Sequence, residues 1–275
     1  MADNITLSGA VRSNLLTLQR TQTLIDSTQG KLATGLRVNS ALDDASAFFA
    51  SASLTARADD LSGLKSDIDQ GISSLEAAIN GIEAITELVE QAKGLAITAK
   101  ATSDTNERSS LSVQFNALLD QVDSITTDTS FAGTNLLKGT PDNLTVSFNE
   151  DGSSSLTIAG IDTTTAATGL NIAAGANDFA ANSDIDVAIT AINTALTTLR
   201  TSASTLGSNA SVLTTRLSFT GDLANTLEAG AGKLTQADLN LESANLLALQ
   251  TRQQLGINSL SLASQSERSI LALFG

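Results

Sequence analysis

The side chains able to carry chemistry in this 275-residue sequence are carboxylates and a few lysines, because it contains no His, Cys, Trp or Tyr. Without imidazole or thiol there is no Ser-His or Cys-His nucleophilic pair, no thiolate metal site, and no side chain that titrates near neutrality at its ordinary pKa. Two adjacent carboxylate pairs, Asp43 with Asp44 and Asp59 with Asp60, have the composition of a general acid and its base. That chemistry needs surroundings that drive the two pKa values apart. No pocket-forming sequence flanks either pair, and helix starts and solvated helix faces account for both. Asp67, Asp69 and Gly71 begin like a calcium loop, but the Gly and Glu required at loop positions six and twelve are Ile72 and Ala78. GAGKLT at 230–235 has the outline of a phosphate loop, yet Leu234 and Leu227 stand where the motif needs a hydroxyl residue and a Gly. Gly230 and Gly232 then read as a hinge or as close-packing positions. No catalytic residue, metal ligand set or cofactor is expected, and so no enzyme.

Charge narrows the partners. The chain carries 29 acidic and 15 basic residues, a formal charge of -14. With no basic cluster to neutralise phosphates, nucleic-acid binding is not expected. No run of 18 or more apolar residues exists, so no membrane insertion is expected, and the start MADNITLSGAVR lacks the basic and apolar regions of a cleaved signal peptide. The charge is also unevenly placed. Residues 1–40 hold four basic and two acidic groups, residues 235–275 hold two and three, and the remaining 194 residues hold nine and 24, a charge of -15. Two nearly neutral ends therefore flank an acidic middle, and the ends of many copies could lie close together while the middle faces water.

The elements that place these residues are helices. A hydrophobic fraction of 41% with 3% aromatics, all Phe, and a single Pro favours extended helices over a spherical core. Positions 11, 15, 18, 22, 25, 29, 32 and 36 alternate spacings of four and three, with Gln22 and Gln29 as polar interruptions of an otherwise apolar seam. A second helix is expected to start after Ser40, with Asp43 completing a capping box, and to carry a seam over Leu61, Leu64, Ile68, Gly71, Leu75, Ala78, Ile82, Ile85, Val89 and Ala92. A third, shorter run joins Leu111, Phe115, Leu118, Val122 and Ile125. The longest seam extends from Ile185 to Leu227, roughly 65 Å of helix. The last segment is apolar on two faces, Leu246, Leu249 and Leu260 on one and Leu241, Leu255 and Leu262 on another, with Leu271, Leu273 and Phe274 beyond. A helix that wide in its apolar surface expects several neighbours. Between the helical halves, Pro141 opens a stretch in which LTVSF and SLTIAGI alternate around EDGSS, the pattern of a β-hairpin, followed by irregular structure to about residue 180.

The expected fold is mainly α: a long-helix coiled-coil or bundle rod formed by both chain ends, with a small β-containing central insert. Three parts are expected: residues 1–42 with 235–275 as a terminal helical domain, 43–140 with 181–234 as a long-helix rod domain, and 141–180 as a hairpin insert.

Residues 14–64 resemble the N-terminal region of bacterial flagellins, most densely at Leu32, Gly35, Arg37, Asn39, Ser40, Ala41, Asp43, Asp44 and Ala45. DQGISSLEAAINGIEAI at 69–85 is similar to the next family segment, FAGTNLL at 131–137 to a family turn, and Gln236 to Leu273 to the family's Leu- and Gln-rich C-terminus. The departures are Glu90-Gln91-Ala92-Lys93-Gly94-Leu95, where some relatives place Arg and Glu before the Leu, and the ending Leu273-Phe274-Gly275.

The resemblance implies a structural subunit that polymerises into an extracellular helical filament for swimming motility. Terminal helices would form the core, inner helices a surrounding layer, and the insert would be displayed outside. It also implies export in an unfolded state by the flagellar type III apparatus with a chaperone, no cleaved signal peptide, and encounters with the filament cap and hook-associated proteins. The residues expected to carry polymerisation are Leu15, Leu18, Ile25, Leu32 and Leu36 with Leu246, Leu249, Leu255, Leu260 and Leu262. The alternatives are a hook-filament junction protein and, from another class, a carboxylate-based hydrolase.

Overall fold

The computed structural model describes residues 9–274. In chain order it contains α1 (Gly9–Thr34), α2 (Ala45–Ala101), α3 (Thr105–Asp128), β1 (Leu144–Ser147), β2 (Ser155–Ile158), a 3-10 turn at Ala176–Phe179, α4 (Asn182–Thr235) and α5 (Leu239–Phe274). The mainly helical class and the small central sheet follow the sequence pattern. The chain divides into two compact units, one of residues 1–56 with 226–275 and one of residues 57–225. The division falls inside α2 and α4, and residues 141–180 lie within the second unit.

In the second unit, α2 contributes a stripe of Ile68, Leu75, Ala78, Ile82, Ile85, Val89, Ala92, Ala96 and Ala99 to a continuous core. This is the four-three seam of the sequence, continued about two turns further through Ala96 and Ala99. Phe115, Leu119 and Val122 of α3 and Ile185, Ile192, Leu199, Leu206 and Leu213 of α4 meet it. Ala92, Ala96 and Ala99 make the C-terminal end of the α2 stripe one of small residues. Glycine makes room for neighbouring side chains at two points. A Cβ at Gly71 would lie 2.7 Å from Val146 Cγ2, and one at Gly81 would lie 2.7 Å from Thr129 Oγ1 and 2.9 Å from Leu137 Cδ1.

The hairpin pairs Leu144 with Ile158 and Val146 with Leu156 in antiparallel register. Val146 and Ile158 are buried in the helical core, while Thr145 and Thr157 face outward and share a 3.1 Å hydroxyl hydrogen bond. That shared core is why the insert does not separate from the helices.

Asn135, buried in the FAGTNLL segment, ties hairpin and helices together. Its side-chain amide donates to the carbonyls of Thr126 and Thr127 at the end of α3 (2.9 and 3.0 Å), and its Oδ1 accepts from the N–H groups of Leu137 and Lys138 (2.8 and 3.1 Å). One side chain thus satisfies two helix-end carbonyls and two loop donors away from water. Replacing it orphans these groups. Asn135→Ala is expected to destabilise the protein by about 2–3 kcal/mol, read from denaturant midpoints by circular dichroism.

In the first unit, α1 and α5 pack antiparallel. Gln253 Nε2 donates to Gln22 Oε1 at 2.6 Å, Lys31 lies 3.5 Å from Glu242, and a Cβ at Gly256 would come 2.8 Å from Leu18 Cδ2. These pairs fix one register along the two helices. The buried line on α1 is Val11, Thr21, Ile25 and Thr28, with Asn14, Leu18 and Leu32 half-buried beside it. This line keeps Val11, Leu18, Ile25 and Leu32 of the expected seam, but between them it takes Asn14, Thr21 and Thr28 in place of the exposed Leu15, Gln22 and Gln29. Threonine fits there because its hydroxyl can return to its own helix, as Thr21 does to the carbonyl of Thr17 at 2.9 Å.

Candidate functional site

The Asp43–Asp44 pair is structural. Asp43 Oδ2 accepts from the N–H groups of Asn39 (3.0 Å) and Ser40 (2.9 Å) and from the Ser40 hydroxyl (3.1 Å). Asp44 accepts from the Ala47 N–H at 3.0 Å and is the N-cap of α2. The helix thus starts at Ala45, not after Ser40. The expected capping box is half-realised, with Asp43 holding the N–H of Ser40 in a turn that precedes the cap. Asp59, Asp60, Asp67 and Asp69 lie exposed along α2. Among the described residues no group of three or more His, Cys, Asp or Glu is arranged to hold a metal ion.

The same turn belongs to a clasp between segments 200 residues apart. Gly35, at a φ of 71°, ends α1 in the left-handed conformation that favours glycine. The N–H groups of Arg37 and Val38 then donate to the Thr235 carbonyl (2.7 and 3.2 Å), and Ala237 N–H donates to the Gly35 carbonyl at 2.9 Å. Arg37 adds a guanidinium bond to the Leu234 carbonyl at 2.9 Å, and Val38 is buried beneath. On the other strand of the clasp Asp238 caps α5, accepting from Asn240 and Leu241 at 3.0 and 3.1 Å. Gly230 and Gly232 lie just upstream, within the last turns of α4, with Leu54 packed near Gly230.

The helices beyond the clasp leave much apolar surface uncovered. Of the ten leucine and isoleucine positions singled out by pattern, Ile25 is buried, and Leu18, Leu32, Leu36, Leu246, Leu249 and Leu260 are half-buried. Leu15, Leu255 and Leu262 are exposed, at 41%, 64% and 73%. The two faces of α5 thus differ: the Leu246, Leu249 and Leu260 face is half-buried, and the Leu241, Leu255 and Leu262 face meets solvent. Pattern reading missed the exposed Leu16, Leu24, Leu239, Leu247 and Ile257. Their signal was present as second-face hydrophobicity, which a single-stripe template discards. The side chains of Leu271, Leu273 and Phe274 lie outside the described residues.

Both helical ends of the chain match one family. The bacterial flagellin N-terminal helical region matches residues 7–142, and the bacterial flagellin C-terminal helical region matches residues 189–274. Flagellin FljO of Caulobacter vibrioides is 33% identical over 276 residues, 98% of this chain and 97% of that protein. The chain belongs to the bacterial flagellin family.

A flagellin of Brucella melitensis is 34% identical over 283 residues, spanning 100% of this chain and 99% of that one. The crystal structure of Bacillus cereus flagellin aligns at a TM-score of 0.49 and 20% identity, over 56% of this chain and 88% of that one. The family is one of structural proteins, and membership supports a role as a filament subunit. In this flagellin the motif residues Arg37, Asn39, Ser40, Asp43 and Asp44 are those that build the clasp and its turn. No helix among the described residues is long and apolar enough to cross a membrane.

The turn makes a pH prediction. The backbone N–H groups of Asn39 and Ser40, then the Ser40 hydroxyl and the charge of Lys31, hold the Asp43 carboxyl below the usual aspartate range. A carboxyl depressed in the folded state stabilises above its unfolded pKa, and the stabilisation is lost as pH falls through the folded value. Asp43→Ala should therefore weaken amide protection at residues 39–44 at neutral pH, with the difference from the unmodified protein vanishing in strong acid. A difference that persists unchanged to the lowest pH would show that the carboxylate does not hold the turn.

Proposed function

We propose that this flagellin is the subunit of a helical flagellar filament for swimming motility, polymerising through heterologous contacts that do not close into a ring. The observation that carries this reading is the outward face of α1 and α5. Leu15, Leu16, Leu24, Leu239, Leu241, Leu247, Leu255, Ile257 and Leu262 remain 41–73% exposed in the single chain. Large apolar side chains left exposed in this number on one helix pair suit an association site. A second copy of the same pair is the partner with matching chemistry, since both ends of the chain are close to neutral and repel little. In this reading residues 1–42 and 235–275 form the filament core, the helices of 43–140 and 181–234 a layer around it, and 141–180 the outward part. Of the ten positions expected to carry polymerisation, Leu15, Leu255 and Leu262 would meet a neighbouring copy directly, Leu18, Leu32, Leu36, Leu246, Leu249 and Leu260 would do so with the surface they leave open, and Ile25 would hold α1 within its own subunit.

The wider expectations belong to the same proposal: export in an unfolded state by the flagellar type III apparatus without signal cleavage, handling by a chaperone, addition beneath a filament cap, and junction to hook-associated proteins outside the cell. A chain with one Pro and no Cys suits threading through a channel, since few X-Pro isomerisations and no disulfide rearrangements stand in the way of its refolding.

The structure separates residues that hold the monomer from residues available to a neighbour, and that separation can be tested. Leu255→Asp and Leu262→Asp place a charge on exposed positions, so each should leave the thermal unfolding of the monomer within about 0.5 kcal/mol of the unmodified protein. In the polymer the same charges would be buried without partners. Electron microscopy after a polymerisation trigger is expected to show long filaments for the unmodified protein and none for the variants. Failure of the unmodified protein to form filaments under conditions that polymerise other flagellins would count against the subunit role. Normal filaments from both variants would count against the assigned face.

A further inference from the structure

The segment after the hairpin runs back along α3 and is held there mainly by side chains of that helix. Asp123 accepts from the Thr165 N–H (2.7 Å) and hydroxyl (2.8 Å), Asn116 Oδ1 accepts from Gly175 N–H (2.8 Å), and Phe179 packs edge-on against Phe115 with ring centroids 5.2 Å apart. Arg108 closes the far end. Its guanidinium donates to the Ala180 carbonyl (3.0 Å) and Asn182 Oδ1 (2.6 Å), while Nε donates to the Thr102 carbonyl (2.7 Å). The stitching residues 108, 116 and 123 recur every seven or eight positions, so one face of α3 is a row of hooks for an extended strand of backbone.

Two observations show that the last part of this strap is held closed at a cost. Asn171, Asn177, Asp178 and Phe179 all have φ between 48° and 60°, four of the five non-glycine residues with positive φ among the described residues. Asn and Asp tolerate that region, but Phe does not adopt it without support from its surroundings. Ser112 Oγ, fully buried on α3, has no hydrogen-bond partner. It lies directly against Gly175, where an added Cβ would sit 2.4 Å away. The strap is therefore joined to α3 by few bonds of its own backbone, over an unsatisfied hydroxyl, in a conformation the chain does not favour.

We infer that residues 171–181 are a latch, a segment that opens and closes over α3 by itself while α2, α3 and α4 remain folded. Strain and the orphaned hydroxyl raise the energy of the closed state. The buried side chains of Ile172 and Phe179 and the bond from Arg108 to the Ala180 carbonyl hold it shut, and the other two Arg108 bonds anchor that guanidinium to Thr102 and to the first residue of α4. Opening uncovers Phe115 and frees Ser112 to meet water, so this is where loss of structure in the second unit begins.

Hydrogen–deuterium exchange of the full-length protein, followed by mass spectrometry, tests this. Peptides from 171–181 are expected to exchange faster than those from the α2 and α4 core, through an opening that leaves the helices protected. Arg108→Met should raise strap exchange by about tenfold or more, because bonds from a charged donor are lost. Asp178→Val changes an exposed side chain, so its effect passes through the backbone. A β-branched residue in the left-handed region should also speed strap opening by about tenfold, with α2 and α4 peptides unchanged. Strap and helices exchanging together in one event would overturn the inference, as would Asp178→Val accelerating the whole unit equally or leaving the strap unaffected.

Discussion

Helices of 57 and 54 residues are only as stable as the cover on their apolar stripes, because backbone hydrogen bonds exchanged for water contribute little net and nearly every charged side chain faces outward. The constraint acts twice. In the second unit, α2, α3 and α4 bury their stripes together, and the hairpin and the strap fill what three helices leave open. In the first unit α1 and α5 have each other, and two helices cannot enclose a core. The apolar residues left over on that pair are the consequence of too few neighbours, which another copy of the chain is suited to supply.

Much of this was readable from spacing. The α2 seam from Leu61 to Ala92 and the α4 seam from Ile185 follow the four-three pattern with little deviation, since large residues recur there and polar ones fall between. The hairpin was readable for the same reason, as its alternation matches the pleat. On α1 the pattern placed Val11, Leu18, Ile25 and Leu32 but missed the alternate positions by one, since Gln22 and Thr21 are adjacent and both polar. The choice between them depends on whether a hydroxyl can bond its own helix, which a hydrophobic template does not ask. The helix start was misplaced similarly. Ser40 and Asp43 make the expected bonds, but Asp44 makes the cap.

The parts that pattern could not reach depend on side chains bonding to distant backbone. Asn135, Arg108, Asn116 and Asp123 have no apolar periodicity, and each acts on a partner known only once the chain is folded. In FAGTNLL the Asn is visible as a letter but its four bonds are not. The positive φ values of residues 171–179 have no glycine to announce them. Such residues are imposed by tertiary structure rather than by local preference.

The clasp between residues 35–38 and 235–238 also sets an order of events. Joining Gly35 to Ala237 closes a loop of about 200 residues, and contacts so distant in sequence form late and slowly. A chain emerging N-terminus first presents α1 long before α5 exists. Through that interval Ile25 and Val11 have no cover, and the first helix written in the sequence is among the last to be completed in space.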